Sequence, residues 1–238
     1  MISKRVKQLI KKVILSLVLV FTLFTSAITI NTYAGKNISP YQVSKNSIVY
    51  QQKEIKGRIL IYNSHEIEEY SDGYTVVDAS YNLKSKLEKL GYDVTVLEGD
   101  FSKNDYNNAY FNSRKALEEL ELSSYNIIID LHRNAIEGKD TALIDGKDFV
   151  KIMPVLDQSS PNYNEAKELS VGIMNEVKYY GDIAKNDYEF EYTYNAHFNQ
   201  DLGKNILLEI GNQNNNKWEV QRTLTYLANG IDKFLGGE

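Results

Sequence analysis

Beyond residue 56, short apolar runs alternate with longer segments whose apolar residues recur at helical spacing. Apolar runs of this length are typical of buried strands, and apolar residues three and four positions apart are typical of amphipathic helices. The predicted strands are 58–62, 92–97, 125–130, 149–156 and 206–210, and the predicted helices are 74–90, 112–122, 161–180 and 218–234. The alternation predicts a single α/β domain, with a largely parallel twisted sheet flanked by helices.

The first 34 residues have a different pattern. Basic residues stand at positions 4, 5, 7, 11 and 12, an apolar run covers 13–30, and no acidic residue precedes Glu54. A basic start before an apolar run is typical of an export signal, whose basic end stays in the cytoplasm. The run is intermediate between a signal peptide and a membrane anchor, which needs about 20 apolar residues. Both alternatives stay open, and both place the rest of the chain outside the cytoplasm.

The segment 35–55 is polar, carries Pro40 and has no sustained periodicity, so it is predicted to be a linker. The remaining residues, 56–238, have the length of one ordinary domain, which is enough to bury a core of its own. The sequence therefore divides into residues 1–34 as signal peptide or anchor, 35–55 as linker and 56–238 as one folded domain.

Charge and composition exclude several classes of function. The chain has 27 basic and 32 acidic residues; without the five basic residues of the leader, 22 basic residues face 32 acidic ones, a net charge of about −10. Nucleic-acid phosphates favour a basic face, so a nucleic-acid partner is not expected. The chain has no cysteine, which excludes disulfides, thiolate metal sites and cysteine nucleophiles. Histidine and carboxylate must therefore hold any metal ion.

Two of the three histidines, His65 and His132, follow the first and third predicted strands. Sites in open α/β sheets lie beyond the carboxyl ends of the strands, and His65 is followed by Glu66, Glu68 and Glu69. Two imidazoles and one carboxylate form a common catalytic zinc set, with a fourth position left for water. A histidine after a strand is also common on a surface, and a glutamate cluster is common in a solvated loop. The residues alone leave both interpretations open.

Glu209 interrupts an otherwise apolar predicted strand. Burying a carboxylate costs several kcal/mol unless it is paired, hydrogen-bonded or protonated. One alternative is that Glu209 faces solvent while Leu208 and Ile210 face the core, as strand alternation allows. The other makes Glu209 a general base beside a metal-bound water. The third histidine, His197, is predicted to lie in a surface loop.

Four short segments stand in order along the domain. They are Ile59-Leu-Ile-Tyr-Asn-Ser-His65 with Glu68 and Tyr70, Ile129-Asp-Leu-His-Arg-Asn-Ala135, Phe198-Asn-Gln-Asp-Leu202 and Leu207-Leu-Glu-Ile-Gly211. As an ordered set they resemble the stage II sporulation protein P family, cell-wall amidases of endospore-forming bacteria. The resemblance extends from about residue 56 onward. It implies the fold of the zinc-dependent N-acetylmuramoyl-L-alanine amidases, with helices on both faces of a sheet.

The resemblance also implies a metal site. His65 and His132 match the family's zinc ligands, and Glu68 matches the third ligand because it stands three residues after the first histidine. Glu69 beside it leaves that choice open.

Four further residues receive roles from the resemblance. Glu209 matches the family's catalytic glutamate, and Arg133 matches a residue that orients the site or the substrate. Asn199 and Gln200 match a polar loop that lines the substrate groove.

The resemblance implies a zinc hydrolase that cleaves the amide between N-acetylmuramic acid and L-alanine during sporulation, in septal wall remodelling or engulfment. The expected partners are peptidoglycan and, through the N-terminal segment, the membrane; a partnership with other sporulation wall hydrolases is left open. One alternative is a zinc peptidase that cuts stem-peptide or cross-link bonds. The other is a catalytically silent scaffold that binds the wall.

Overall fold

A computed structural model of the protein describes residues 54–196 and 198–236. The predicted leader and nearly all of the predicted linker lie outside these residues, as does His197, so their assignments stay predictions. Across the described ranges, no helix is both long and apolar enough to cross a membrane.

Eight strands are present in the described part of the chain. They are β1 (Arg58–Tyr62), β2 (Asp93–Leu97), β3 (Ile127–Asn134), β4 (Thr141–Ile144), β5 (Lys147–Val150), β6 (Ile152–Asp157), β7 (Glu191–Thr193) and β8 (Asn205–Asn212). Six of them form one sheet in the order β2-β1-β3-β8-β6-β7, and β4 and β5 form a separate hairpin. Every neighbouring pair in the large sheet is parallel except β8 with β6. The predicted largely parallel sheet is therefore confirmed.

Within the described ranges, four α-helices cover the two faces of the sheet. They are α1 (Val76–Leu90), α2 (Ala109–Glu118), α3 (Tyr163–Lys178) and α4 (Lys217–Phe234). The larger core joins α1, α3 and α4 to side chains such as Ile61, Ile129 and Leu208. A smaller core on the opposite face joins Leu117 of α2 to Leu60 and other strand residues. Among the described α-helices, the short α2 is the one that packs on this second face.

The N-terminus of α1 is fixed by a capping box. The Thr75 hydroxyl accepts from the Asp78 N–H, while the Asp78 carboxylate accepts from the Thr75 N–H, which satisfies two main-chain donors left free at the helix start. Gly91 ends the helix at a φ of 109°, a left-handed conformation that glycine adopts without strain. Both ends of the helix behind β1 are therefore determined locally.

The predicted single strand 149–156 is wrong. It is divided at Lys151 into β5, which belongs to the hairpin, and β6, which belongs to the large sheet. Asp145 and Gly146 both have positive φ, 49° and 73°, and join β4 to β5. Asp-Gly is the preferred sequence of a two-residue hairpin turn with this geometry, so the hairpin carried a local signal. The residues on both sides of Lys151 are apolar, so the sequence pattern gave no sign that the strand ends there.

Candidate metal centre

The turn after β1 carries His65 and Glu68. The Glu68 N–H donates to the His65 carbonyl oxygen at 3.1 Å and closes the turn. The chain then returns to α1, where the Val76 N–H donates to the Glu68 carbonyl oxygen at 3.1 Å. The start of a helix therefore helps to fix the position of Glu68.

His132, near the end of β3, lies beside this turn. Its Nδ1 is 3.5 Å from Oε2 of Glu68, and the Arg133 N–H donates to the same oxygen at 3.0 Å. Ligand atoms of His65, Glu68 and His132 all lie within 4.8 Å of one another. The structure thus brings the three predicted metal ligands together. Glu69, the alternative third ligand, is exposed and outside this group.

Glu209 on β8 is the register partner of His132 on β3. Partners on neighbouring strands project from the same face, so Glu209 stands on the side of the ligands, while Leu208 and Ile210 are buried on the other face. Oε2 of Glu209 is shielded from solvent and has no hydrogen-bond partner among the described residues. Burial raises the pKa of Glu209 to about 7, with His132 opposing and Glu68 reinforcing the rise.

The structure requires a glycine at position 211, two residues after Glu209. Its φ is 64°, and a Cβ at this position would lie 2.7 Å from Oδ1 of Asn215 and 2.8 Å from Val150. Glycine is the residue that tolerates both the left-handed backbone and the close approach. The pairing of β3 with β8 also shifts register between His132 and Asn134, so the strand pair becomes irregular directly after the site.

The protonation preferences of the ligands differ. Burial lowers the pKa of His65, and the nearby His132 lowers it further. Burial opposes ionisation of Glu68, but the His132 ring and the Arg133 N–H outweigh it and lower the pKa of that carboxyl. Burial also disfavours charged His132, yet Asp130 outweighs burial and raises the pKa of His132 well above its ordinary value. Neutral His65 and ionised Glu68 are metal-binding forms, and a metal cation would displace the proton of His132.

Aromatic rings enclose the two histidines. Tyr106 stacks on His65 with ring centroids 4.1 Å apart, and Tyr110 meets His65 edge-on at 5.1 Å and His132 at 6.2 Å. Phe198 packs against Tyr110 at 5.1 Å. These rings restrict the orientations of both imidazoles. Tyr106 is still half exposed, so one side of this aromatic wall faces solvent.

Arg133 contributes contacts within the protein. Its guanidinium Nε donates to the Glu69 carbonyl oxygen at 3.0 Å, and its main-chain N–H donates to Glu68. Both contacts hold the loop that carries Glu68 against β3. A contact between Arg133 and a substrate stays a prediction.

Asn199 and Gln200 lie in the wall of a surface cavity of about 690 Å³ that Tyr110 also lines. Both side chains are almost fully buried, and their amide nitrogens donate within the protein, Asn199 to Ser113 at 3.0 Å and Gln200 to the Val155 carbonyl oxygen at 2.7 Å. Their observed contacts anchor the loop to α2 and β6. A direct role in substrate binding stays a prediction.

The structure adds four residues that the sequence did not single out: Ser64, Asp130, Tyr106 and Tyr110. Asp130 stands two residues before His132 on β3, so strand alternation places both on one face, a signal that the sequence contained. The two tyrosines come from a segment about 40 residues beyond His65, and nothing in the local sequence pattern connects them to it.

The donor set fits zinc. Zinc in catalytic sites is held by three protein ligands at about 2.0–2.2 Å, with imidazole and carboxylate among the usual donors. Ligand atoms within 4.8 Å of one another therefore need only small side-chain adjustments to share one ion. Oε2 of Glu209, on the same face of the sheet, also has no hydrogen-bond partner among the described residues.

Solved structures of N-acetylmuramoyl-L-alanine amidases share this fold. The CwlD amidase from Clostridioides difficile, solved in complex with the GerS lipoprotein, is 18% identical, with 75% of this chain and 98% of that chain covered and a TM-score of 0.53. The amidase Ami1 from Mycobacterium smegmatis is 13% identical, with 76% and 98% covered and a TM-score of 0.52. Ami1 from Mycobacterium abscessus is 12% identical, with 76% and 100% covered and a TM-score of 0.54. At these identities the likeness establishes the fold: this is an α/β domain of the amidase type.

The sequence model of the stage II sporulation protein P family matches residues 26–232, most of the chain. The chain therefore belongs to the stage II sporulation protein P family, as the ordered segments predicted. No match was found among curated proteins.

Proposed function

We propose that this protein is a zinc-dependent peptidoglycan hydrolase that cleaves the amide between N-acetylmuramic acid and the L-alanine of the stem peptide. One observation carries the proposal: the ligand atoms of His65, Glu68 and His132 lie within 4.8 Å of one another beside Glu209. Membership of the sporulation family and the amidase fold support the choice of substrate.

His65, Glu68 and His132 would hold the metal ion. Zinc, when bound, supplies Lewis-acid chemistry: it activates water and polarises an amide carbonyl. Glu209 accepts the proton of the attacking water and passes it to the nitrogen of the leaving amine as the carbon–nitrogen bond breaks. In the metal-free protein, burial raises the pKa of Glu209 to about 7, and a general base works best when its pKa lies near the operating pH.

The surroundings of the cluster leave room for a polymeric substrate. Among the described α-helices, only α2 packs on this face of the sheet, and the cavity of about 690 Å³ adjoins the histidines through Tyr110. The exposed half of Tyr106 and the exposed Phe111 supply apolar surface beside it. Flat aromatic surface of this kind packs against sugar rings and peptide side chains.

We propose further that the catalytic domain works outside the cytoplasm, secreted or held at the membrane by the N-terminal segment. The basic and apolar leader supports this location. A tethered enzyme would act on the wall close to the membrane, with other sporulation wall hydrolases as candidate partners.

Digestion of purified peptidoglycan tests the reaction. The protein is incubated with peptidoglycan after zinc loading, and again after removal of metal with a chelator; released fragments are analysed by mass spectrometry. The amidase releases stem peptides with a free L-alanine amino terminus and leaves muramic acid without an attached alanine. Fragments cut inside the stem peptide or the cross-link would favour the zinc peptidase instead.

Metal analysis separates the enzyme from a silent scaffold. Protein purified without chelators should contain about one zinc per chain, as expected for a three-ligand catalytic site. Protein that binds the wall but neither holds zinc nor releases fragments would support the scaffold. Activity that survives complete metal removal would overturn the zinc proposal.

A further inference from the structure

His132 has a buried carboxylate on the side away from Glu68. Its Nε2 is 2.9 Å from Oδ1 of Asp130 and 2.8 Å from Oγ of Ser64. Asp130 is completely buried, and it lies two residues before His132 on the same face of β3. Asp130, a residue of the same strand, therefore contacts the His132 ring on the side away from Glu68.

The hydrogen bonds around Asp130 determine the position of the ring proton. Ser64 donates to Asp130 twice, from its N–H to Oδ1 at 2.9 Å and from its hydroxyl to Oδ2 at 2.7 Å. Because the hydroxyl proton of Ser64 is used in this way, Nε2 of His132 is the donor in its contact with Ser64, and a proton on Nε2 also lies beside the Asp130 carboxylate. With the proton on Nε2, Nδ1 is the nitrogen that remains to bind a metal, and it is the one that faces Glu68 at 3.5 Å.

Asp130 also joins the two parts of the cluster. Ser64 directly precedes His65, so the hydrogen bonds from Ser64 to Asp130 attach the turn after β1 to β3. The Asp130 carboxylate thus contacts the His132 ring at Nε2 and binds the main-chain N–H of Ser64, the residue before His65.

We propose that Asp130, together with Ser64, is a positioning residue that fixes His132 in the Nε2-protonated tautomer and presents Nδ1 to the zinc ion. This inference rests on the proposed function, because it concerns the affinity and geometry of the same metal site. Partners behind metal-bound histidines typically contribute about 10–100-fold to metal affinity. Asp130 is completely buried and is not among the candidate metal ligands, so its effect on a bound ion would be exerted through His132.

Zinc affinity of the complete domain tests the proposal. Competition with a chromophoric chelator is measured for the wild type, Asp130→Asn and Ser64→Ala, with Asp157→Asn as a matched control. Asp157 is also buried and also accepts hydrogen bonds at a strand end, among them those from Ser159 and from the Ala196 N–H, but it is not among the candidate metal ligands. We expect Asp130→Asn to lose about 10–100-fold in zinc affinity, Ser64→Ala to lose less, and Asp157→Asn to match the wild type.

The outcomes distinguish the two levels of proposal. If the wild type binds no zinc, the proposed function fails before the role of Asp130 is in question. If the wild type binds zinc and a folded Asp130→Asn binds it equally well, the positioning role is overturned while the metal site stands. A loss of the same size in Asp157→Asn would also overturn it, because general weakening of the fold would then account for the effect.

Ring-nitrogen spectroscopy of the wild-type protein gives a second readout. The chain has only three histidines, so nitrogen-15 labelling yields three sets of ring signals, assigned with His65→Ala and His197→Ala. In the zinc-loaded wild type, we expect His132 to carry its proton on Nε2 and to show a metal-shifted Nδ1. A metal-shifted Nε2 with the proton on Nδ1 would overturn the proposal.

Discussion

His132 and Glu209 face each other across two parallel strands, as register partners of β3 and β8. The pairing brings a metal-ligand candidate and a carboxylate with an unpartnered oxygen to the same face of the sheet, although 77 positions separate them in the chain. Neither residue acquires this neighbour from its local sequence. The relationship depends on strand order and register.

Replacing Glu209 by Gln should abolish catalysis without removing the metal. The amide has nearly the same shape but does not accept the proton of the attacking water, so we expect activity to fall by about 10²–10⁴-fold. Release of fragments from peptidoglycan measures the rate, and metal analysis measures zinc content. Loss of zinc in this variant would instead make Glu209 a ligand, and full activity would exclude it as the base.

The same variant should change how stability depends on pH in the metal-free protein. The folded pKa of Glu209 is raised from 4.5 to about 7, so the folded state retains a proton that the unfolded state releases. Wild-type stability therefore decreases, relative to Glu209→Gln, as pH rises from about 4.5 to 7, and the difference levels off above 7. The expected difference at pH 8 is about 3 kcal/mol, since each pKa unit corresponds to about 1.4 kcal/mol.

Urea unfolding at pH 4 and at pH 8, with a chelator present, measures this difference. At pH 4 both proteins carry a neutral side chain at position 209, so that measurement isolates any effect of the substitution itself. Parallel stability curves between the two pH values would contradict the raised pKa.

Glu68 and Glu69 provide a matched pair for testing the third metal ligand. Glu68→Gln should reduce zinc affinity by more than about 100-fold, because the loss of a ligand should exceed the 10–100-fold effect of outer partners. Glu69→Gln should bind zinc like the wild type, since its side chain is exposed and outside the cluster. Chelator competition measures both affinities, and the reverse order of effects would reassign the ligand.

Gly211→Ala should destabilise the domain by about 2 kcal/mol or more, because alanine meets both the left-handed backbone cost of about 1–2 kcal/mol and close contacts. The contacts are those at 2.7 and 2.8 Å from Asn215 and Val150. Gly73→Ala is the control: its φ is 77°, but nothing lies within 4 Å of the added Cβ. Denaturant unfolding should show the larger loss at position 211; equal losses would mean that the backbone conformation alone requires this glycine.

Local pattern predicted most of the elements because their periodicity is carried by consecutive residues. The strand at 58–62 was predicted with its observed ends, and the helix at 74–90 is close to α1. The run at 149–156 was assigned to one strand because its apolar residues continue past the break at Lys151. β7 was not predicted because three residues offer too little pattern to recognise a strand.

The structure shows on which face of the sheet Glu209 stands, a point that the sequence left open. Leu208 and Ile210 do face the core, as alternation allowed. The opposite face is not open solvent at this position, because His132 and the turn that carries Glu68 lie beside it. A sequence pattern specifies that Glu209 faces away from the core, but it does not specify what is on the other side.

The sequence by itself determined the α/β alternation, the position of His65 after the first strand, and the ordered segments that mark the family; it ended the third strand at residue 130, whereas β3 extends through His132 to Asn134. These features depend on residues close together in the chain, where periodicity and motif spacing act directly. Only the tertiary structure placed Glu209 opposite His132, Asp130 and Ser64 behind it, and Tyr106 and Tyr110 against the imidazoles. Those contacts join distant segments, and they are decided by strand order and register, which the packing of the whole core establishes.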